Sequence, residues 1–239
     1  GFQLLGGPRG SISASFGKDG DFQLSLADPL PVQLQAEGRL KAGDIEATLT
    51  NVFLDVTQLP RVFDFGTVRL TGGQASGSLR IVGPVNDPDF FGTVRTVGLQ
   101  EVDYVPETLG PAEGFLIFEE KVLTINPLLI SAGNAGSAQF SGSATLQRWN
   151  IDEFRFQVET GEDRSVPINY RSADLVAEGR VKGGLKIQGV PGVTDISGKL
   201  HAIDTTVTLG DPQFVQEFDE DAVTNVDVSI TTEGRVEFL

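Results

Sequence analysis

Cysteine and methionine are both absent from this chain of 239 residues, and there is a single histidine. Without cysteine there are no disulfides and no thiolate metal sites, and the redox compartment is left open. With no methionine at position 1, the chain reads as a processed or excised piece of something longer. One histidine leaves too few parts for a zinc site or a nucleophile–histidine pair, and His201, on an alternating strand beside Lys199 and Leu200, is expected to face solvent. Basic residues are scarce too: 18 Lys and Arg stand against 33 Asp and Glu, a formal net charge of -15. That excludes a phosphate-backbone partner, because nucleic-acid affinity rests on cations neutralising phosphates. It also removes any attraction to anionic membrane surfaces, so a lipid handled here has to be held by hydrophobic contact.

Long apolar runs are missing. The longest are of the kind Pro127-Leu128-Leu129-Ile130, far short of the roughly 20 residues of a membrane-spanning helix, and no signal-peptide pattern is present. Any anchor or export signal is therefore expected outside these residues. Polar aromatics are few: 16 Phe accompany two Tyr and one Trp. Glycan-binding and antibody-like surfaces favour Tyr and Trp for their polar handles, whereas Phe lines apolar interiors.

What the chain does have is period-two alternation, which a half-buried strand requires. Phe22, Leu24 and Leu26 alternate with Gln23 and Ser25, and Val32, Leu34 and Ala36 with Gln33, Gln35 and Glu37. Phe154, Phe156 and Val158 face away from Glu153, Arg155, Gln157 and Glu159; Val226, Val228 and Ile230 face away from Asp227, Ser229 and Thr231. The longest stretch sets Ala177, Gly179, Val181, Gly183, Leu185 and Ile187 against Glu178, Arg180, Lys182 and Lys186. Helical spacing is confined to Leu54 to Phe63, where Pro60 limits it to a short turn. Charged, turn-rich connections are expected over Gly161 to Ser172 and Gly210 to Asn225, and no linker splits the chain. The expectation is an all-β fold, one elongated β-repeat domain over residues 1–239.

Internal similarity supports this. Ala75-Ser76-Gly77-Ser78-Leu79-Arg80-Ile81-Val82-Gly83, then Asp87-Pro88-Asp89-Phe90-Phe91-Gly92-Thr93-Val94, repeats in outline as Ala177 to Gly189, then Val193 to Leu200. The unit is strand, turn, strand, which suggests an array of similar hairpins rather than a closed barrel. About a dozen such strands, at roughly 4.8 Å spacing, make a ribbon on the order of 60 Å long. Its apolar side exceeds the patch usual on a soluble monomer, so the sheet must fold onto itself as a sandwich or curl around a guest.

The pattern Gly-x-Leu-x-Ile-x-Gly followed by Asp-Pro-x-Phe-x-Gly-x-Val, carried best by residues 77–94, resembles the recurring signature of TamB and the wider AsmA-like envelope proteins. Gly110 to Phe118, Lys121 to Ile125 and Gly136 to Gly142 resemble the same family's glycine-bracketed strands, and with the ending Val226 to Ile230 the likeness covers most of residues 30–239. The resemblance implies an antiparallel-rich sheet curled lengthwise into a U-shaped hydrophobic groove, a β-taco, apolar inside and polar outside. It further implies a place in the periplasm or cell envelope of a diderm bacterium. The cargo it implies is phospholipid, with acyl chains in the groove, moved between inner and outer membranes. It implies a TamA-type outer-membrane barrel as partner and a role in outer-membrane biogenesis. The family has no catalytic residues and no cofactor to carry over.

The candidate groove lining follows from alternation: Phe22, Leu24, Leu34, Phe140, Leu146, Phe154, Phe156, Leu185, Ile187, Val207, Val228 and Ile230. For each of these, ordinary core packing competes with lipid contact, and two other functions stay open. One is a structural or adhesive β-sandwich or solenoid module that binds a protein partner; the other is a carboxylate-based hydrolase, for which nothing singles out a pair. Asp19, Asp21, Asp219, Glu220 and Asp221 offer oxygen ligands for calcium, but Asp219-Glu220-Asp221 lacks the glycine and spaced acceptors of a calcium loop, and the group reads as solvated loop charge. Gly189 to Gly198 lacks the strand-to-helix context of a phosphate loop. The last strand, near Arg235 to Leu239, is expected at an edge, where unpaired backbone invites association.

Overall fold

The computed structural model describes residues 2–3, 9–27, 32–55, 68–102, 109–131, 136–160, 165–171, 175–209 and 223–238. Among them there is no helix, and alternation has become strand throughout. The strands are β1 (Phe2–Gln3), β2 (Arg9–Phe16), β3 (Asp21–Ala27), β4 (Val32–Lys41), β5 (Asp44–Asp55), β6 (Val68–Pro84), β7 (Asp89–Val102) and β8 (Leu109–Glu120). They continue with β9 (Val122–Ser131), β10 (Ser137–Gln147), β11 (Asn150–Thr160), β12 (Val166–Arg171), β13 (Leu175–Val190), β14 (Val193–Leu209) and β15 (Val223–Phe238).

One open sheet takes them all. Its order is the chain order from β1 to β11, then β13, β14 and β15. At roughly 4.8 Å per strand this is a ribbon on the order of 60 Å long. Every neighbouring pair is antiparallel except the last: β15 runs parallel to β14, with Val193 opposite Val223 and Val207 opposite Phe238. The sheet is therefore mixed, a feature the alternation of β15 does not encode. The two halves of the internal similarity fall on equivalent hairpins. In β6–β7, Leu79 faces Gly92 and Ile81 faces Phe90; in β13–β14, Leu185 faces Gly198 and Ile187 faces Ile196.

Two expectations are corrected and one falls largely outside the description. Residues 161–172 are not one long connection, because Val166–Arg171 form β12 and pair with Val176–Val181 of β13. β12 lies end to end with β11 along the same edge of β13, since β11 takes Gly184–Gly189. Charges around it and Pro167 hid this strand. Pro167 is tolerated because β12 is paired on its β13 side alone among the described residues, so no second ladder asks for the missing N–H. The second connection ends earlier than expected, since Val223, Thr224 and Asn225 open β15. Of the short helical turn at Leu54 to Phe63, Leu54 and Asp55 are strand in β5 and the rest lies outside the described residues.

Long strands in a twisted ribbon need interruptions, and the register slips at most ladders: at Leu49/Val52 between β5 and β6, Glu113/Leu116 between β8 and β9, and Ile203/Thr205 between β14 and β15. Such bulges bend a strand and sharpen its twist. Pro127 sits where β9 slips against both neighbours, between Ile125 and Leu128, a position that demands no regular ladder bond.

Candidate functional site

Because directly opposed residues share a face, the registers sort side chains across the whole ribbon. From Ala36 the chain of partners runs to Leu49, Leu79, Gly92, Phe118, Leu123, Ala144, Phe154 and Gly189, all on one face. The opposite face carries the polar partners, with Arg39 bound to Asp21 at 2.7 Å and Arg80 to Glu46 at 2.8 Å. On the apolar face, among the described strands, the charged exception is Glu120, at the β8–β9 turn opposite Phe90.

All twelve residues read from alternation as lining lie on that face. Phe22, Leu24 and Leu34 sit on β3 and β4, opposite Gly38, Ala36 and Leu26. Leu146 faces Ile151 and Phe140 faces Val158, while Phe154 and Phe156 meet Gly189 and Ile187 across the next ladder. Leu185 pairs with Gly198, Val207 with Ala177, and Val228 and Ile230 with Gly198 and Leu200. They are not one compact cluster. The structure brings Phe140, Phe154, Phe156, Leu185 and Ile187 together, spreads Val207, Val228 and Ile230 beyond them, and leaves Phe22, Leu24 and Leu34 near the other edge. At the centre the rings of Phe140 and Phe156 are 5.2 Å apart, and those of Phe154 and Phe156 stack at 5.4 Å.

Glycines shape this face. Gly142, at φ 147°, lies beneath Phe156, and a β-carbon there would press on the Arg155 carbonyl and sit 2.7 Å from the Phe156 Cα. Gly92, at φ 143°, stands in the same relation to Leu79. Strand glycines of this kind let a sheet bend sharply, and an aromatic ring fills the space where a side chain is missing. On this face Ala36, Ala47, Ile81, Val94, Ile125, Ala144 and Ala202 are buried, mostly small residues.

A second feature went unread in the sequence, where Asp87 and Pro88 stood only as part of the strand, turn, strand repeat and the single Trp only as a count. The β6–β7 turn and the β10–β11 turn flank the shorter β8–β9 hairpin, whose tip is Lys121. In a flat sheet their centres would lie four strand spacings apart, roughly 19 Å. Instead they touch: the Trp149 Nε1–H donates to the Val85 carbonyl at 2.7 Å, and the Arg148 N–H donates to Asp87 Oδ1 at 2.9 Å. The indole meets the Phe90 ring edge-on at 5.3 Å. Beneath the arch, the Lys121 ammonium donates to the Asp87 and Pro88 carbonyls at 2.6 and 2.8 Å and faces both the Asp87 and Asp89 carboxylates. The Arg148 N–H, then Lys121, hold the Asp87 carboxyl below the ordinary carboxylate range. Desolvation works against the Lys121 charge, but its bonds to Asp87 and Asp89 outweigh it and hold the ammonium above the usual lysine range.

The acidic and glycine-rich candidates are placed more simply. Asp21 is engaged by Arg39, Asp219 to Asp221 lie outside the described residues, and Gly189 to Gly198 forms the β13–β14 hairpin. His201 is exposed, with Nδ1 2.6 Å from Thr231 Oγ1. No group of three or more metal-binding side chains gathers among the described residues. Compared with known proteins, the chain matches no family model, no curated protein and no solved structure.

Proposed function

We propose that this chain is a non-enzymatic lipid-carrying module whose sheet curls lengthwise into a hydrophobic trough. The observation that carries the reading is the apolar face, which continues from β2 to β15 with one charged side chain, Glu120, at a turn among the described strands. A face of this length has no second sheet over it among the described residues, so its apolar area needs either a fold back on itself or a guest. Bulges, glycines on that face and the converging turns beside Lys121 all favour curvature toward the apolar side. Acyl chains suit such a lining, since each buried CH₂ contributes about 0.8 kcal/mol without asking for directional contacts. On the resemblance to the TamB family, the cargo is phospholipid moving between inner and outer membranes, the setting is the periplasm, and a TamA-type barrel is the partner.

The test is native mass spectrometry of the protein from a bacterial host, with lipid extraction and photocrosslinking from a probe at Phe156. Phospholipid that co-purifies and crosslinks there is expected. A lipid-free protein whose Phe156 probe reaches nothing but protein would instead favour the structural or adhesive module with a closed core. Phe156→Asp or Ile187→Asp is expected to abolish co-purification of lipid while the far-ultraviolet spectrum keeps its strand signature. Equal loss of folding and of lipid would defeat that claim.

A further inference from the structure

Arg148 and Trp149 both occupy the left-handed region, at φ 49° and 71°. Two-residue hairpin turns with this backbone favour Asn-Gly or Asp-Gly, because Cβ crowds the following carbonyl there and only glycine, or a short polar side chain that bonds locally, escapes the cost. Here the turn carries the two bulky residues that bridge to the neighbouring hairpin. Unfavourable backbone persists where surrounding contacts over-determine it, and such outliers point to a role. The contacts are specific: Trp149 is the sole tryptophan of the chain, its N–H is spent on the Val85 carbonyl, and its ring lies on Phe90, a residue of the apolar face. Lys121 fastens the β6–β7 turn from below through two carbonyls and two carboxylates.

We infer that the arch of Val85, Asp87, Arg148 and Trp149 over Lys121 is a clasp that holds the sheet bent between β6 and β11 and fixes how widely the apolar face opens there. This deepens the lipid reading and rests on it for its purpose, but the clasp itself is a statement about shape. The hydrogen bonds between the two turns lie at hairpin tips, outside the ladders, so releasing them alters the opening without unpairing a strand. A trough built this way can widen locally for a bulky guest and close again on the same contacts.

The experiment uses the absence of cysteine, which lets nitroxide labels be placed cleanly at Ser78→Cys on β6 and Arg155→Cys on β11, both on the exposed polar face. Pulsed electron-electron resonance then reads the distance between them in the lipid-free chain. The clasp predicts a narrow distribution in the otherwise unaltered chain. In Trp149→Ala it predicts a broadened one, its mean displaced by about one strand spacing, ~5 Å. Trp149→Phe, which keeps a ring on Phe90 and loses the N–H, is expected to fall between. Should Trp149→Ala fail to fold by circular dichroism, Trp149→Phe and Asp87→Asn carry the comparison. Superimposable distributions in folded variants would overturn the clasp. Uptake of a fluorescent phosphatidylethanolamine from vesicles, measured on the same proteins, addresses the lipid reading separately: no uptake in any of them counts against that reading, while the distances alone decide the clasp.

Discussion

The middle of the ribbon and its last strand present the same face under opposite conditions. Ala47 and Ala144, on β5 and β10, are 3% and 2% exposed, whereas Val226 and Ile230 of β15 stand at 67% and 64%. At the other margin Phe16 of β2 reaches 79%. Residue type does not explain the contrast, since the larger and more apolar side chains are the exposed ones. What differs is flanking: a central residue has paired strands on both sides, and among the described residues a marginal one does not. Among the described residues the apolar face thus buries itself through neighbours rather than beneath a second layer, and it is exposed where neighbours run out.

The sharpest way to break this comparison is to charge the best-walled position. Ala144 sits between Leu123 and Phe154 across its two ladders, both apolar. Ala144→Asp should cost roughly 3–5 kcal/mol, the scale of an uncompensated buried charge, measured as a shift in the urea midpoint. A midpoint within 1 kcal/mol of the parent, by the same conversion, would mean that water reaches the middle of the face as freely as the margin. Next in size is Gly142→Val, which adds a branched side chain at positive φ against the Arg155 carbonyl and the Phe156 Cα. Strain and overpacking together predict a loss of roughly 2–4 kcal/mol, and a disturbed Phe140–Phe156 contact should change the near-ultraviolet spectrum.

Much of this face was legible in the sequence, and the reason is the period of two. Once Phe154, Phe156 and Val158 alternate with charges, their sidedness follows whatever the partner strands are, so the twelve candidates could be assigned to the apolar side of their strands without knowing a single register. The hairpin likeness of residues 75–94 and 177–200 was readable for the same reason, since Leu79 over Gly92 and Leu185 over Gly198 are one local device used twice. Alternation carries no pairing direction, so the parallel course of β15 was invisible. Nor does it survive interruption: Pro167 and the flanking charges masked β12 although Val166, Ile168 and Tyr170 kept the beat. The clasp was illegible because it joins residues more than sixty positions apart through one carbonyl, one carboxylate and an indole, none of which has a period.

The clasp offers a milder test that sharpens the contrast between buried middle and exposed margin, because it lies in the middle. Asp87 is held below its ordinary value of 3.8, so its contribution is complete above that value and is lost as pH falls through the lower, folded one. Lys121 is held above its ordinary value of 10.5, so its contribution is complete below that value and is lost as pH rises through the higher, folded one. The arch should therefore stay intact across the neutral range and loosen at either extreme. Emission from Trp149, the only indole, reports it directly: a red shift is expected in strong acid and strong alkali. A transition near neutrality would show that neither group holds the turn.

The smallest expected effect belongs to the margin. Ile230→Asp places on β15 the same carboxylate that is ruinous at Ala144, on the same face and opposite Leu200. With about two thirds of the side chain already in water, an aspartate there keeps its hydration, and exposed substitutions of this kind fall within about 0.5 kcal/mol. The urea midpoint should hardly move. Association should move more, because among the described residues β15 is paired on its β14 side alone, with Val226 and Ile230 exposed beside that edge, and a charge there discourages strand-to-strand addition. Sedimentation of the two proteins at matched concentration would read this. If Ile230→Asp instead destabilised the fold by several kcal/mol, β15 would have to be covered in solution, and the division between a self-burying middle and an open margin would fail at the place where it is widest.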